Sequence, residues 1–325
     1  MEKRILSGIR PTGTLHIGHY FGTLQNWVYL QKEYECFFMI ADWHALTDRQ
    51  TYENLNPIIS EIVLLWLASG IDPRKSIIFR QSDVIEHAEM EVLLSMTAKI
   101  GDLKRIPAFK DADKSMKNKL GLLIYPLLQA ADILVYRAEA VPVGEDQVPH
   151  VEYARILAQT INKIAQKQIL PLPKVLLTKT KRIPGTDGQA KMSKSLNNTI
   201  NLLKTDFKST WPILSKLQTD PNRVTKKDAG DPQKCPIIFP YANLVMNSKQ
   251  IQQIKENCKN AKWGCIDCKR EIAKSLDKYF RPLREKYFKL KKKKGLVTKI
   301  LAKGKLKAKE EASKTLFLIR PIFGL

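Results

Sequence analysis

Two rhythms of apolar residues alternate along the first hundred positions. Lys3 to Ile9, Glu35 to Ala41 and Ser76 to Phe79 are short, largely apolar runs, and each reads as a buried strand. Between them, apolar residues from Ile17 recur at Phe21, Leu24 and Val28, one face of a helix, and Pro57 to Ala68 is a strongly apolar helix that stops at Gly70. This alternation implies an α/β fold, a Rossmann-like doubly wound parallel sheet whose ligands bind beyond the carboxyl ends of its strands. Pro11, Gly13 and Gly18 interrupt the pattern between the first strand and the first helix, so a tight loop is expected there.

The rhythm then changes twice. Lys99 to Lys119 is polar and basic, whereas Leu122 to Val143 is apolar apart from Gln129, Asp132, Arg137 and Glu139. A carboxylate in such a run is costly unless it has partners, which makes Asp132 a candidate buried polar site. A helix-surface aspartate facing solvent is the alternative. Far downstream, Ile272, Leu276, Tyr279, Leu283, Tyr287 and Leu290 repeat at three and four, predicting a long amphipathic helix in a second, mainly helical domain.

With 325 residues, 44% of them hydrophobic, the chain suits about two domains. No apolar run reaches the roughly 18 residues of a membrane span, and the N-terminus enters a strand with no signal-peptide pattern, so a soluble, cytoplasmic protein is expected. The net charge of +23 is uneven: Arg281 to Lys309 carries thirteen basic residues against one acid, Glu285. Polyanion binding and a merely solvated helix face both fit that stretch. Cys235, Cys258, Cys265 and Cys268 are separated by twenty-two, six and two residues. In a reducing compartment this block suggests a four-thiolate metal site, for which zinc and an iron-sulfur cluster are both suitable, rather than disulfides. Inert buried thiols are the plainer alternative, and Cys36, inside a strand, reads as packing.

Two short blocks carry candidate chemistry. His16-Ile17-Gly18-His19 lies where the first helix begins, so unpaired backbone N–H groups and a partial positive charge favour a phosphate there. Gly18 leaves room for a flat purine, and two imidazoles can donate hydrogen bonds to oxygens that gain charge. Lys191-Met192-Ser193-Lys194-Ser195 follows the loop-like Pro184-Gly185-Thr186-Asp187-Gly188. Ammonium groups on a movable loop can bind a departing pyrophosphate as its charge develops. Either block alone is weak; together they point to ATP split between its α and β phosphates.

With these blocks, Ser7 to Gly13, Ala41 to Ala45, Tyr125 to Leu134 and Val141 to Gln147, the chain resembles bacterial tryptophanyl-tRNA synthetases, class I aminoacyl-tRNA synthetases, over nearly its whole length. The resemblance implies a ligase that makes tryptophanyl-adenylate from L-tryptophan and ATP, releases pyrophosphate, and transfers the amino acid to the 3' end of tRNA(Trp). It implies catalytic roles for His16, His19, Lys191, Lys194 and Ser195, and an ATP site that adds Arg10, Pro11, Thr12, Gly18, Gly144, Glu145, Asp146, Ile183, Met192 and Ser193. Mg2+ would accompany the ATP. For tryptophan it implies Asp132 as acceptor of the indole N–H and Tyr125 and Gln147 at the amino group, with Gly8, His44, Gln129 and Val143 completing the pocket. A subset of the family binds a 4Fe-4S cluster through cysteines spaced like Cys235, Cys258, Cys265 and Cys268, with zinc the alternative metal. The implied organisation is a catalytic domain over 1–184, containing an insertion at about 100–180 that forms a homodimer interface. A helical anticodon-binding domain follows over 185–280, and a basic helix and tail over 281–325 pack back on the first domain. A tyrosine-specific synthetase of the same fold and a non-catalytic, synthetase-like RNA-binding protein are the competing readings.

Overall fold

The computed structural model describes residues 3–47, 53–177, 183–188, 191–194 and 196–325. Five strands form one parallel sheet: β1 (Arg4–Ile9), β2 (Glu35–Ile40), β3 (Ser76–Arg80), β4 (Ala140–Val143) and β5 (Lys174–Leu177), in the order β3-β2-β1-β4-β5. Successive residues alternate between the two faces. Ile5, Ile9, Cys36, Phe38, Ile40 and Ile78 join one core cluster, and Leu6, Phe37, Met39, Ile77 and Phe79 join the other.

The helical run expected from Ile17 is interrupted. α1 (Ile17–His19) passes into a five-residue π-helical stretch, Tyr20–Leu24, before α2 (Gln25–Leu30) restores the ordinary turn. Such stretches are rare inside helices and occur mostly at functional sites. After α3 (Asp42–Ala45), α4 (Asn56–Ser69) packs its apolar length into the first cluster and ends at Gly70, whose φ of +112° favours glycine.

On the other face lie α5 (Glu86–Ser95), α9 (Leu120–Val135) and α10 (Val148–Ile164), with α6 (Ile100–Arg105), α7 (Pro107–Lys110) and α8 (Lys114–Lys117) breaking the basic stretch into short turns. The last third holds α11 (Phe207–Leu214), α12 (Ile238–Val245), α13 (Ser248–Lys259), α14 (Cys265–Lys291) and α15 (Leu296–Ile319), and no strand among its described residues. α14 buries Ile272, Leu276, Leu283 and Tyr287, as the spacing predicts, and runs unbroken past residue 280 to pack on α4. α15 returns to the sheet through Gly304, Ala308, Ala312 and Leu316, and so covers β3, an edge strand.

Candidate active site

β1 and β4 lie side by side, yet the chain leaves them toward opposite edges of the sheet. That arrangement opens a crevice at their carboxyl ends, the usual ligand position in this architecture. The loop from Arg10 to His16 leaves β1 here, and Gly144 to Gln147 leaves β4. Gly8 must be small, because a Cβ there would stand 3.0 Å from the carbonyl oxygen of Met39. A Cβ on Gly18 would stand 2.7 Å from Nδ1 of His16.

His16 caps the helical run in extended conformation, and its backbone N–H donates to Nδ1 of His19 at 3.2 Å. The two rings lie 3.8 Å apart. Burial, reinforced by Lys194 and Lys191, lowers the His16 pKa to about 4, and burial with the neighbouring His16 holds His19 well below the usual imidazole value. Both rings are therefore neutral near pH 7, able to donate a hydrogen bond but not acting as cations. Nδ1 of His16 is buried and has no partner, which suits a polar ligand at this point.

The lysine loop reaches the same crevice. Pro184 and Lys191 form an antiparallel bridge, Met192 donates its backbone N–H to the Ile183 carbonyl at 3.0 Å, and both apolar side chains are buried. Nζ of Lys194 donates to the carbonyl of Gly13 at 2.8 Å, joining the two motifs directly. Burial and the nearby Arg10 lower the Lys194 pKa to about 8 against the opposing pull of Glu61. Lys191 is exposed and 3.9 Å from the Asp146 carboxylate, whereas Ser195 lies outside the described residues. Backbone bonds from Ile17 to Ile200 and from Leu202 to Leu15 stitch the segment after the loop to the histidine block.

Asn198, which periodicity gave no reason to notice, organises this loop. Its Oδ1 accepts the Ser193 N–H at 2.7 Å, its Nδ2 donates to Asp187 at 2.8 Å, and its carbonyl accepts from Thr186 at 2.9 Å. A Cβ on Gly185 would lie only 2.1 Å from that Nδ2, so the glycine and the asparagine together were the available signal.

Asp132 is 1% exposed, which rules out the solvent-facing reading. Oδ2 accepts from Nε2 of His44 at 2.8 Å, Oδ1 from Nδ1 of His87 at 2.6 Å, and Nε2 of Gln81 reaches both oxygens at 2.9 and 3.0 Å. Burial pushes this carboxyl up, but the bonds and charges of His44 and His87 outweigh it and hold the pKa below the usual value. The His44 ring meets Tyr125 edge to face at 6.3 Å, and the Tyr125 hydroxyl pairs with Nε2 of the buried His150 at 3.1 Å. The structure thus joins Asp132, His44 and Tyr125. Gln147 instead donates to Asp146 at 2.9 Å, while Gln129 and Val143 are half-buried. Sequence reading missed His87, Gln81, Tyr136 and His150, whose partners are 25 to 51 residues away in the chain.

Cys235, Cys258, Cys265 and Cys268 line one small cavity with Arg223 and Trp263, and all four are free thiols. Among the described residues, no three metal-binding side chains stand close enough to form a ready metal site. The Arg223 guanidinium lies 3.7 Å from Sγ of Cys258, but burial outweighs its pull and raises the pKa of this thiol.

A crevice at the switch point of a parallel sheet, flanked by neutral histidines and a docked lysine loop, fits a class of ATP-using α/β enzyme. The chain belongs to the tRNA synthetases class I (W and Y), whose family model matches residues 2–281. It is 42% identical to the tryptophan–tRNA ligase of Thermotoga maritima over 99% of each chain, and 36% identical to that of Aquifex aeolicus over 99% of this chain and 100% of the relative. Its fold matches the crystal structure of Campylobacter jejuni tryptophanyl-tRNA synthetase complexed with ADP and tryptophan, with a TM-score of 0.88 and 35% identity, covering 99% of this chain and 100% of the other.

Proposed function

We propose that the chain is a tryptophan–tRNA ligase. The carboxylate of L-tryptophan attacks the α-phosphate of ATP, the bond to the β-phosphate breaks, and pyrophosphate leaves with its electron pair; Mg2+ bound with the ATP would offset phosphate charge. The ribose hydroxyl at the 3' end of tRNA(Trp) then takes the aminoacyl group from AMP. No covalent enzyme intermediate is needed, so the chain's task is in-line placement and charge stabilisation. The observation that carries the reading is the contact of Lys194 with Gly13, which puts a loop cation and the neutral His16–His19 pair at one crevice. His16 and His19 donate to phosphate oxygens, Lys194 and Lys191 stabilise the leaving pyrophosphate, and Ser195 belongs to the same loop. Arg10, Pro11, Thr12, Gly18, Gly144, Glu145, Asp146, Ile183, Met192 and Ser193 line the nucleotide's path.

Tryptophan is favoured over tyrosine because a buried, ionised Asp132 suits an indole N–H, and because the full-length relatives at 36 and 42% identity are tryptophan ligases. Tyr125 and Gln147 serve the amino group, and Gly8, His44, Gln129 and Val143 shape the pocket. Charging assays with tryptophan or tyrosine, ATP and tRNA(Trp) test the assignment. Tryptophan-dependent charging is expected, and charging with tyrosine alone would overturn it.

The thiol set also suits a metal: Cys235, Cys258, Cys265 and Cys268 would hold a 4Fe-4S cluster, or zinc, that braces α13 and α14 beside the tRNA. Anaerobic purification with elemental analysis decides between iron and zinc, and a metal-free protein would refute both. The division into 1–184, 185–280 and 281–325 and a homodimer are part of the same proposal. Exposed Val92, Met96, Ile100 and Leu120 support a subunit interface near the insertion. The proposed setting is the cytoplasm; among the described residues no helix is long and apolar enough to cross a membrane.

A further inference from the structure

His87 on α5 is fully buried, lies outside every sequence motif, and touches no residue of the nucleotide crevice described above. Its Nδ1 meets Asp132 at 2.6 Å and its Nε2 meets the Tyr136 hydroxyl at 2.7 Å. An ionised carboxylate only accepts, so Nδ1 of His87 donates to Asp132, while Nε2 pairs with the Tyr136 hydroxyl. Tyr136, His87 and Asp132 thus form one hydrogen-bonded chain. Its far end is rigid, because Tyr136 stacks on Phe37 of β2 at 4.5 Å and the imidazole lies 5.9 Å from Phe79 of β3.

We propose that His87, anchored by Tyr136, is a positioning residue that fixes the orientation of the Asp132 carboxylate and thereby sets selectivity for an amino acid bearing a ring N–H. A carboxylate has about four acceptor positions. His87 meets Oδ1, His44 meets Oδ2 and Gln81 reaches both oxygens, so each oxygen has two contacts, and Gln81 is itself tied, its Oε1 accepting the Trp43 N–H at 3.1 Å. The plane of the carboxylate is thereby fixed, and an incoming N–H takes over a position that Gln81 shares between the two oxygens. A purely structural role gives no reason for this arrangement, since apolar groups of equal volume would join α5 and α9 without desolvating a charge. With His87 gone, Oδ1 keeps only the Gln81 hydrogen bond, and the carboxylate turns or takes up a proton. Either change removes the acceptor from its place.

The inference rests on the reading of Asp132 as the indole acceptor, and the experiment separates the two. Amino-acid-dependent pyrophosphate exchange is measured with tryptophan and with 3-benzothienylalanine, in which sulfur replaces the N–H. The selectivity ratio is the quotient of the two kcat/KM values. His87→Phe is expected to lower that ratio at least tenfold through a higher KM for tryptophan, with kcat and the KM for ATP changed less than threefold. Tyr136→Phe, a smaller change that keeps the fold if the first variant does not, should lower it in the same direction. His87→Asn, whose amide can still donate to Asp132, should recover part of the ratio. A ratio unchanged in Asp132→Ala would sink the indole reading and this inference with it. A ratio that collapses in Asp132→Ala but survives in both His87→Phe and Tyr136→Phe would overturn the positioning role alone.

Discussion

In the proposed reaction, Lys194 is the residue on which the chemistry turns most sharply. Its ammonium is held by a backbone carbonyl, a weak partner that a phosphate oxygen can replace, so its binding energy is available to the leaving group. Lys194→Ala should lower the rate of adenylate formation about 100-fold or more, the scale of losing one oriented donor, with the KM for ATP little changed. Loss of ATP binding at an unchanged rate would place the lysine in ground-state binding. Its pKa of about 8, lowered by burial and Arg10, means that the charge is complete well below pH 8 and lost as pH rises through that value. The kcat/KM for ATP should therefore decline above pH 8, and a flat profile to pH 10 would contradict this role.

At the level of single elements, stability should respond to acid. His16 and His150 both sit near a pKa of 4 because burial disfavours their charged forms. Unfolded imidazoles titrate near 6.5, so the unfolded chain binds more protons between those values. Stability is complete above about pH 6.5 and falls on acidification toward pH 4, so the melting temperature should drop across that window more in wild type than in His150→Gln. α15 offers a second test. A Cβ on Gly304 would lie 1.8 Å from the Ile78 carbonyl oxygen, so Gly304→Ala must lift the helix from β3. Overpacking of this kind costs about 1–3 kcal/mol and should lower the melting temperature. An unchanged value would mean that α15 contributes nothing to the sheet. Much of the architecture was legible because strand runs and the Ile272–Leu290 stripe record burial directly. The π-helical turn at Tyr20–Leu24 was not, since its side chains keep a helical spacing while the backbone register changes. Likewise, Asp132 was visible as a carboxylate in an apolar run, but its partners His44, Gln81 and His87 are brought to it only by tertiary packing.

Across the whole molecule, charge is unevenly spread. Every basic residue from Arg281 to Lys309 is exposed except Arg284, which is tied to Asp277 and Thr205, so the surface carries a broad cationic stretch along α14 and α15. If tRNA lies on it, replacing Lys291 to Lys294 by glutamine should flatten the salt dependence of tRNA binding by about 0.7–0.9 in logarithmic slope for each phosphate no longer neutralised. An unchanged slope would return this stretch to a solvated helix face. Neither that surface nor the cysteine cavity decides the central claim, that one crevice activates tryptophan with ATP. Exchange of labelled pyrophosphate into ATP, run with each amino acid in the absence of tRNA, tests it most directly. Exchange that depends on tryptophan and is weak or absent with tyrosine and phenylalanine is the expected result. Exchange driven by tyrosine instead, or by no amino acid at all, would contradict it.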